Sequence, residues 1–283
     1  MTINEARIAL LNNLNTIYDE RESSAITDLV FERITGLKKI DRIFNKNENL
    51  SEQNASLLKE FINQLMSHKP VQYVLGEAWF YGMKLFVNEH VLIPRPETEE
   101  LVQWALGSLK KKATVLDVGT GSGCIPIVIK KEQPSVEVYA CDISEDALAV
   151  AKKNAEAQGT QINFKQLDFL SAEQRSLLPE FHLIISNPPY ITLQEKSEID
   201  KHVVEYEPHL ALFVPDADDL VFYRQLVEFG RSHLHPAGYM FMEIHYAKAP
   251  AVEELFRSNG YEIERRKDMH GNDRMIKAWK RKG

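Results

Sequence analysis

The sequence predicts an α/β fold in which a mostly parallel β-sheet, flanked by helices, follows a small helical bundle. Two observations support this. From about residue 97, short apolar segments alternate with segments of helical periodicity, as in strands joined by crossover helices. Residues 1–78 instead carry apolar side chains at spacings of three and four, which indicates helices. The predicted organisation is a helical domain at 1–78, a linker at 79–96 and an α/β domain at 97–283.

The charge balance disfavours proteins that hold nucleic acid through bulk charge. The 283 residues include 34 basic and 41 acidic side chains, for a net charge of −7. Residues 1–78 contain nine basic and 11 acidic side chains, so the helical part is not a basic module hidden in the average. No apolar run approaches the ~18–20 residues of a membrane span, and the N-terminus has no signal-peptide pattern.

The cysteines and histidines predict neither a disulfide scaffold nor a metal site. Cys124 and Cys141 are too few for such a scaffold and lack the spacing of a zinc motif. His233 and His235 have no third ligand nearby in the sequence. We therefore expect a cytoplasmic protein without membrane attachment or a resident metal.

The helical part is predicted to contain three segments. A second, short segment covers 28–34, and a third begins at Ser51 as N-cap and places Phe61 and Leu65 on one apolar face. In the first segment, the apolar residues Ile8, Leu11, Leu14, Ile17 and Tyr18 recur at spacings of three and four, which indicates a helix.

The segment after the helical part changes character. Residues 79–87 are aromatic and β-prone around Gly82, which predicts a β-hairpin. Pro94 and Pro96 then interrupt the chain. We expect this hairpin to link the helical domain to the α/β domain.

The α/β part is predicted to contain seven strands and five helices. The strands are expected at 114–118, 137–141, 162–167, 183–186, 239–244, 261–264 and 275–279. The helices are expected at 98–109, 124–131, 145–158, 220–234 and 250–259.

A glycine-rich turn follows the first of these strands. Three glycines alternate between residues 119 and 123, where they let the backbone turn sharply and a ligand approach closely. A dinucleotide fingerprint would need glycine at Cys124, so the turn favours a nucleoside ligand without pyrophosphate, S-adenosylmethionine (SAM). The alternative is a turn without a ligand. The predicted cofactor-binding residues here are Gly119, Thr120, Gly121, Ser122 and Gly123.

Acidic residues at the ends of the next two strands extend the predicted cofactor site. Asp142 lies 23 residues after Gly119, where a carboxylate can accept hydrogen bonds from both ribose hydroxyls. It could instead cap the following helix, a role for which Ser144 competes. Asp168 could accept from an adenine amino group and Phe169 could cover the base. A purely structural role for this last pair is equally compatible with the sequence.

The most specific motif is Asn187-Pro188-Pro189-Tyr190, directly after an apolar strand. The prolines fix φ twice and remove two backbone donors, so the loop is stiff and presents carbonyl oxygens. The Asn187 side-chain oxygen and the Pro188 backbone oxygen could each accept one N–H of a planar –NH₂ group. Its lone pair would then face the methyl sulfonium while Tyr190 stacks on the group. Orientation alone can supply ~7–11 kcal/mol.

We therefore predict that Asn187, Pro188 and Tyr190 are catalytic and that Pro189 also contacts the substrate. A proline-stiffened loop with a half-buried tyrosine is the purely structural alternative. Its position at the end of the fourth strand, beside a SAM-type turn, favours the functional interpretation.

At these residues the chain resembles the class I SAM-dependent methyltransferases, whose catalytic domain is Rossmann-like. More narrowly, it resembles the release factor N5-glutamine methyltransferases (the HemK/PrmC family), over nearly its whole length. The segments that carry the resemblance are 71–82, 91–99, 117–123, 187–190, 205–208, 222–224 and 271–274.

The resemblance implies a reaction. The family methylates the side-chain amide nitrogen (N5) of the glutamine in the Gly-Gly-Gln motif of class I peptide chain release factors, which modulates translation termination. SAM would be the cofactor and S-adenosylhomocysteine the product. The resemblance also implies that the release factor is the protein partner, without direct contact to nucleic acid, and that the helical domain docks it.

The resemblance also assigns roles to residues. Residues 119–123 and Asp142 would bind SAM, with Phe169 against the adenine, where some relatives carry Trp. Asn187 would bind both cofactor and substrate, and 188–190 would grip the glutamine. Residues 214–219 depart from a more glycine-rich family stretch, which affects only a surface loop.

The roles of Arg95 and Glu97 stay open at the level of sequence. These residues could touch the methionine end of SAM or the substrate backbone. They could equally form a local ion pair and supply charge at the start of a helix.

Three other functions are compatible with parts of the sequence. The same Asn-Pro-Pro-Tyr chemistry serves nucleic-acid enzymes that methylate adenine N6 or guanine N2, but the chain lacks a basic domain and carries the family-specific segment 91–99. A non-catalytic binding module would not need Asn187 or the glycines, and both are intact. A nicotinamide oxidoreductase is disfavoured by the glycine spacing.

Overall fold

The computed structural model describes residues 1–281 and resolves two compact units, Met1–Glu77 and the chain from Ala78 onward. Residues 282 and 283, which end the predicted α/β domain, lie outside the described residues. Within the described range, no helix combines the length and the apolar character needed to cross a membrane.

The first unit is a bundle of short helices. Ser51 caps one of them as predicted, because its hydroxyl accepts from the Asn54 backbone N–H at 3.1 Å. Thr2 and Glu5 form a capping box at the start of the first helix. The helices are α1 Ile3–Leu14, α2 Glu20–Thr35, α3 Lys39–Phe44, α4 Glu52–Met66 and α5 Val71–Leu75.

The buried face of α1 includes only some of the apolar residues whose spacing predicts the helix. Ile8 is 44% exposed, and α1 ends at Leu14, before Ile17 and Tyr18. Spacings of three and four fit two overlapping faces of this helix, and the sequence alone does not choose between them. The face that packs against α2 and α4 is the one that begins at the capping box: Ile3, Ala6, Leu10 and Leu14.

The second unit begins with a β-hairpin and continues as an α/β domain. The hairpin consists of β1 Glu77–Phe80 and β2 Met83–Phe86. The remaining strands, β3 to β11, are Thr114–Val118, Glu137–Asp142, Asn163–Gln166, Phe181–Ser186, Ile191–Thr192, Phe213–Val214, Leu234–Glu243, Tyr261–Lys267 and Asp273–Lys280. Helices α6 to α13 are Pro96–Leu106, Cys124–Glu132, Glu145–Ala157, Ala172–Arg175, Lys201–Tyr206, His209–Leu212, Val221–His233 and Ala249–Ser258. Two short 3₁₀ turns cover Gln194–Glu198 and Tyr246–Lys248.

The main sheet of this unit has seven strands in the order β10-β11-β9-β6-β3-β4-β5. Strand β11 is antiparallel to both of its neighbours, and the other pairs are parallel. The predicted mostly parallel α/β fold is therefore confirmed. Strand β3 pairs with β4 on one side and β6 on the other, which makes its carboxyl end the point where the strand order reverses. Ligands of open α/β sheets bind at such a point.

The two faces of the sheet are buried by side chains that alternate along each strand. In β9, Met240 and Met242 join one apolar cluster while Phe241 joins the other. In β6, Ile184 and Ile185 divide in the same way. Both faces are covered by helices, so the central strands read as continuous apolar runs in the sequence.

Strand β9 begins earlier than predicted. It starts at Leu234, although Pro236, Ala237 and Gly238 suggest a turn. A β-carbon on Gly238 would lie 2.8 Å from the His182 backbone oxygen, so glycine lets β9 approach β6 closely there. The short elements between β6 and α12, from β7 to β8, were not predicted because segments of two to six residues carry too little periodicity.

The hairpin is built into the second unit. Phe80 and Leu85 are buried in the core beside α6 and α7. The amide of Asn154, itself 1% exposed, clamps the hairpin to the glycine-rich turn. It accepts from the Phe86 N–H at 2.7 Å and donates to the carbonyl oxygens of Phe86 and Ser122, each at 2.9 Å.

We expect Asn154→Ala to lower the free energy of unfolding of this unit by about 2–4 kcal/mol, because buried backbone groups lose their partners. Urea unfolding followed by tryptophan fluorescence measures it, since all three tryptophans lie after residue 77. The control is Lys152→Ala, exposed on the same helix and expected to stay within about 0.5 kcal/mol of wild type. Equal stability of the two variants would contradict the clamp.

Candidate active site

The glycine-rich turn and the Asn-Pro-Pro-Tyr loop lie side by side because β3 and β6 are parallel neighbours. Val118, the last residue of β3, pairs with Ser186, the last residue of β6. The Ser186 hydroxyl also donates to the Val118 carbonyl oxygen at 2.8 Å. Gly119 and Asn187 follow directly, and both line one cavity of about 310 Å³. The structure thus brings the two main predicted motifs to a single site.

The three glycines of the turn serve two purposes. All have positive φ, at 72°, 51° and 78° for Gly119, Gly121 and Gly123. A β-carbon on either of the first two would meet no protein atom within 4 Å, so these positions leave room for a ligand. A β-carbon on Gly123 would lie 3.1 Å from that of Ala151, so this glycine is needed for packing of the helix that follows.

Asp142 holds the turn and faces the same cavity. Its carboxylate accepts from the Gly121 N–H at 2.9 Å and from the Ser144 N–H at 3.0 Å. Ser144 caps α8, accepting from the Ala147 N–H at 3.1 Å. A carboxylate has about four acceptor positions, so two remain for a ligand. Burial raises the pKa of Asp142, and the backbone donors of the turn offset part of this effect.

Asp168 and Phe169 also line the cavity. Phe169 is 5% exposed and packs edge-on against Phe229 at 5.2 Å between ring centres. One Asp168 oxygen accepts from the Leu170 N–H at 2.9 Å. The lining of this cavity further includes Val91, Leu92, Ile143, Leu167, Pro189 and Phe222.

Five predicted site residues do not line the cavity. Thr120, Ser122 and Gly123 are turn residues, and the first two are buried at 4% and 2% exposure. Pro188 is buried beside Asn187, and Tyr190 packs against the core cluster that includes Tyr223. Their side chains support the lining rather than form it.

A chain of hydrogen bonds runs behind Asn187. The Asn187 amide nitrogen donates to the Thr98 hydroxyl at 3.1 Å, and that hydroxyl donates to a Glu243 carboxylate oxygen at 2.8 Å. The other Glu243 oxygen accepts from the Tyr190 hydroxyl at 3.2 Å. Glu243 is 2% exposed; burial raises its pKa, and Arg274 and the hydroxyl donors act in the opposite direction. Burial and the Glu243 charge raise the pKa of Tyr190 above its ordinary value, which favours the protonated hydroxyl.

Arg95 and Glu97 contact different partners. Arg95 bonds Glu207 at 2.6 Å, and the other Glu207 oxygen accepts from the Ile93 N–H at 3.2 Å. Glu97 lies 3.7 Å from His270. The two residues flank the start of α6 but do not pair with each other.

Three residues that belong to this site were not predicted from sequence: Asp117, Thr98 and Glu243. A charged residue in the otherwise apolar strand 114–118 was the available signal for Asp117. Its carboxylate is fully buried, and neither oxygen makes a hydrogen bond within residues 1–281. Burial raises the pKa of Asp117 from 3.8 to about 7, and the charge of Asp142 adds to the rise. A buried, unpaired acid directly before Val118 and Gly119, which line the cavity, is a candidate functional group.

Comparisons with known proteins cover both units. The family description "PrmC N-terminal domain" matches residues 5–76, and "Methyltransferase small domain" matches residues 100–208. A release factor glutamine methyltransferase of Flavobacterium psychrophilum is 42% identical over 98% of this chain and 99% of its own length. One of Bacteroides thetaiotaomicron is 38% identical over the same shares. The crystal structure of a methyltransferase from Pyrococcus furiosus has the same fold, with a TM-score of 0.52 and 16% identity over 81% of this chain and 98% of its own.

The buried Asp117 should make stability depend on pH. Because its folded-state pKa is about 7, against 3.8 ordinarily, the folded state holds a proton that the unfolded chain has lost. This group therefore destabilises the fold progressively as pH rises from about 4 to about 7. Asp117→Asn removes the ionisation, so we expect it to stabilise the protein at pH 8 by about 1–3 kcal/mol and much less at pH 5.

Thermal unfolding at both pH values measures this effect. Wild type measured at the same two pH values is the reference. A loss of stability in Asp117→Asn that is the same at pH 5 and pH 8 would contradict the assignment.

Proposed function

The chain belongs to the release factor glutamine methyltransferase family, and from this membership we propose that it methylates the side-chain amide nitrogen of the glutamine in the Gly-Gly-Gln motif of class I peptide chain release factors. SAM is the proposed methyl donor, and S-adenosylhomocysteine the product. The observation that carries the proposal is the junction of the glycine-rich turn and the Asn187–Tyr190 loop at one cavity. This pairs a nucleoside-type site with a loop suited to a planar amide.

The residues present fit SAM. Gly119 and Gly121 leave open space along the turn, and Asp142 keeps acceptor positions that suit ribose hydroxyls. Phe169 offers an aromatic wall for the adenine, with Asp168 beside it. The unpaired Asp117 carboxylate under the turn favours a positively charged ligand, as SAM is at its sulfonium and ammonium groups.

SAM supplies an electrophilic methyl group, and the protein must present a weak nucleophile to it. The amide nitrogen of glutamine is weak because its lone pair is delocalised into the carbonyl. The Asn187 side-chain oxygen and the Pro188 backbone oxygen are proposed to accept its two N–H groups. These two bonds would hold the nitrogen in place and draw electron density onto it.

The rigidity of the loop supports this role. Two consecutive prolines fix the backbone, and the Lys248 ammonium donates to the Tyr190 carbonyl oxygen at 2.9 Å. The acceptors are therefore set before the substrate arrives. No strong general base is required, because the nitrogen becomes acidic once it carries the methyl group and can release its proton to water.

We propose that the helical unit docks the release factor away from the reacting glutamine. Helix α3 carries three apolar side chains that are 67%, 60% and 83% exposed: Ile40, Ile43 and Phe44. Exposed apolar groups clustered on one helix mark interaction surfaces. The protein is proposed to work in the cytoplasm, without direct contact to nucleic acid or membrane.

Labelled SAM tests the proposed function directly. We expect the purified protein to label a class I release factor but not DNA or rRNA. A release factor whose motif glutamine is replaced by alanine should take up no label. Label found only in nucleic acid would support the adenine- or guanine-methylating alternative and refute the proposal.

The amide clamp has its own test. We expect Asn187→Ala to lower transfer by about 10³-fold or more while SAM affinity, measured by calorimetry, stays largely unchanged. Asn163→Ala, which removes an exposed asparagine on the edge strand β5, is the matched control and should retain transfer. Full turnover by Asn187→Ala would refute the proposed amide clamp.

The docking surface on α3 is tested by a charge change. We expect Phe44→Asp to raise the KM for the release factor by about tenfold, because it buries a charge against the partner, and to leave kcat nearly unchanged. Leu177→Asp is the matched control, since Leu177 is 86% exposed but lies in the other unit. Equal KM values for the two variants would exclude α3 from docking.

A further inference from the structure

We propose that Thr98 and Glu243 are positioning residues that fix which way the Asn187 side-chain amide is turned, so that its oxygen is presented to the substrate. This inference rests on the proposed function and concerns the same site. It assigns a task to two buried residues that do not line the cavity themselves.

The hydrogen-bond network begins at the carboxylate of Glu243, which lies at the carboxyl end of β9. Both of its oxygens act as hydrogen-bond acceptors in the structure. Its two oxygens receive the hydroxyl groups of Thr98, at 2.8 Å, and Tyr190, at 3.2 Å. Each hydroxyl has one hydrogen, so both hydrogens are directed at Glu243.

The hydroxyl of Thr98 lies between Glu243 and Asn187 in this network. Because its hydrogen points to Glu243, its oxygen can act only as an acceptor toward Asn187. Asn187 must therefore turn its NH₂ group to Thr98, as the 3.1 Å bond requires. The amide oxygen of Asn187 is then left for a ligand in the cavity that this residue lines.

The orientation matters because the two ends of an asparagine amide have opposite hydrogen-bonding character. With the oxygen toward the substrate, Asn187 accepts from the glutamine NH₂. With the amide reversed, two NH₂ groups would face each other, and the substrate nitrogen would lose an acceptor. A glutamate carboxylate at that place would instead accept hydrogen bonds from the reversed NH₂ group. The network thus determines both the rate and the choice of an amide over an acid.

The Glu243 carboxylate also fixes Tyr190, at the other end of the Asn187–Tyr190 loop. Tyr223, fully buried, donates to the Glu243 backbone oxygen at 3.1 Å and fixes the end of β9. Glu243 then holds Tyr190, three residues after Asn187. The orientation of the asparagine and the position of the tyrosine thus depend on one buried side chain.

The test compares Thr98→Val with Thr98→Ser. Valine keeps the shape of threonine and removes the hydroxyl, while serine keeps the hydroxyl and removes the methyl group. We expect Thr98→Val to lower kcat for release factor methylation by about 10–100-fold, in line with the loss of one preorganised hydrogen bond. Thr98→Ser should stay within about threefold of wild type, and SAM affinity should be little changed in both, because the cofactor residues are untouched.

A second measurement separates orientation from packing. Calorimetry compares the binding of release factors that carry Gln or Glu in the motif, each with S-adenosylhomocysteine present. Wild type and Thr98→Ser should favour the Gln form. Thr98→Val should lose about tenfold or more of that preference, since its Asn187 amide is free to reverse.

The outcomes distinguish the two proposals. If wild type does not label the release factor, the proposed function itself fails. If wild type is active and Thr98→Val keeps its kcat and its preference for Gln, the positioning role is overturned. Equal loss in the Val and Ser variants would also overturn it, because that result assigns the effect to packing. If Thr98→Val does not fold, Glu243→Gln takes its place with the same two readouts and the same expected direction.

Discussion

The parallel pairing of β3 with β6 is the constraint on which the site depends. These strands come from distant parts of the chain, yet Val118 and Ser186 end in register, and a hydroxyl-to-carbonyl bond of 2.8 Å joins them. The turn that follows one strand and the loop that follows the other must therefore open onto the same cavity. A shift of one residue in this pairing would rotate every side chain of a strand to the opposite face. Burial of both faces of the sheet prevents such a shift.

Two buried carboxylates illustrate how the fold tolerates unfavourable groups at this edge of the sheet. Glu243 is buried but satisfied, since two hydroxyls donate to it and its backbone oxygen accepts from Tyr223. The Asp117 carboxylate is buried, and neither of its oxygens has a hydrogen-bond partner in the described part of the chain. The first carboxylate organises its neighbours, whereas the second is unpaired within residues 1–281. Proteins commonly accept such local costs at functional sites and offset them elsewhere in the core.

The segment before the sheet belongs to the active site as much as the sheet does. The hairpin is clamped by Asn154 to the carbonyl of the glycine-rich turn. Glu207 bonds both the Ile93 backbone N–H and the Arg95 guanidinium. Thr98, in the first turn of α6, bonds Asn187. Within the second unit, the predicted linker is thus a structural part of the fold, and the family-specific residues 91–99 place a hydroxyl against the substrate loop.

The sequence by itself determined the fold class and the family, which the structure and the comparisons confirm. It also located the two motifs that meet at one cavity. These features are local: short apolar strands, glycines at alternate positions and a double proline each act within about ten residues. Which apolar residues of α1 are buried does not follow from the sequence, because two local patterns overlap. Only the tertiary structure decided which acids are buried and which hydroxyl orients Asn187. Thr98 lies 89 positions from Asn187 and 145 from Glu243, and hydrogen-bond direction across such separations exists only after the strands have paired.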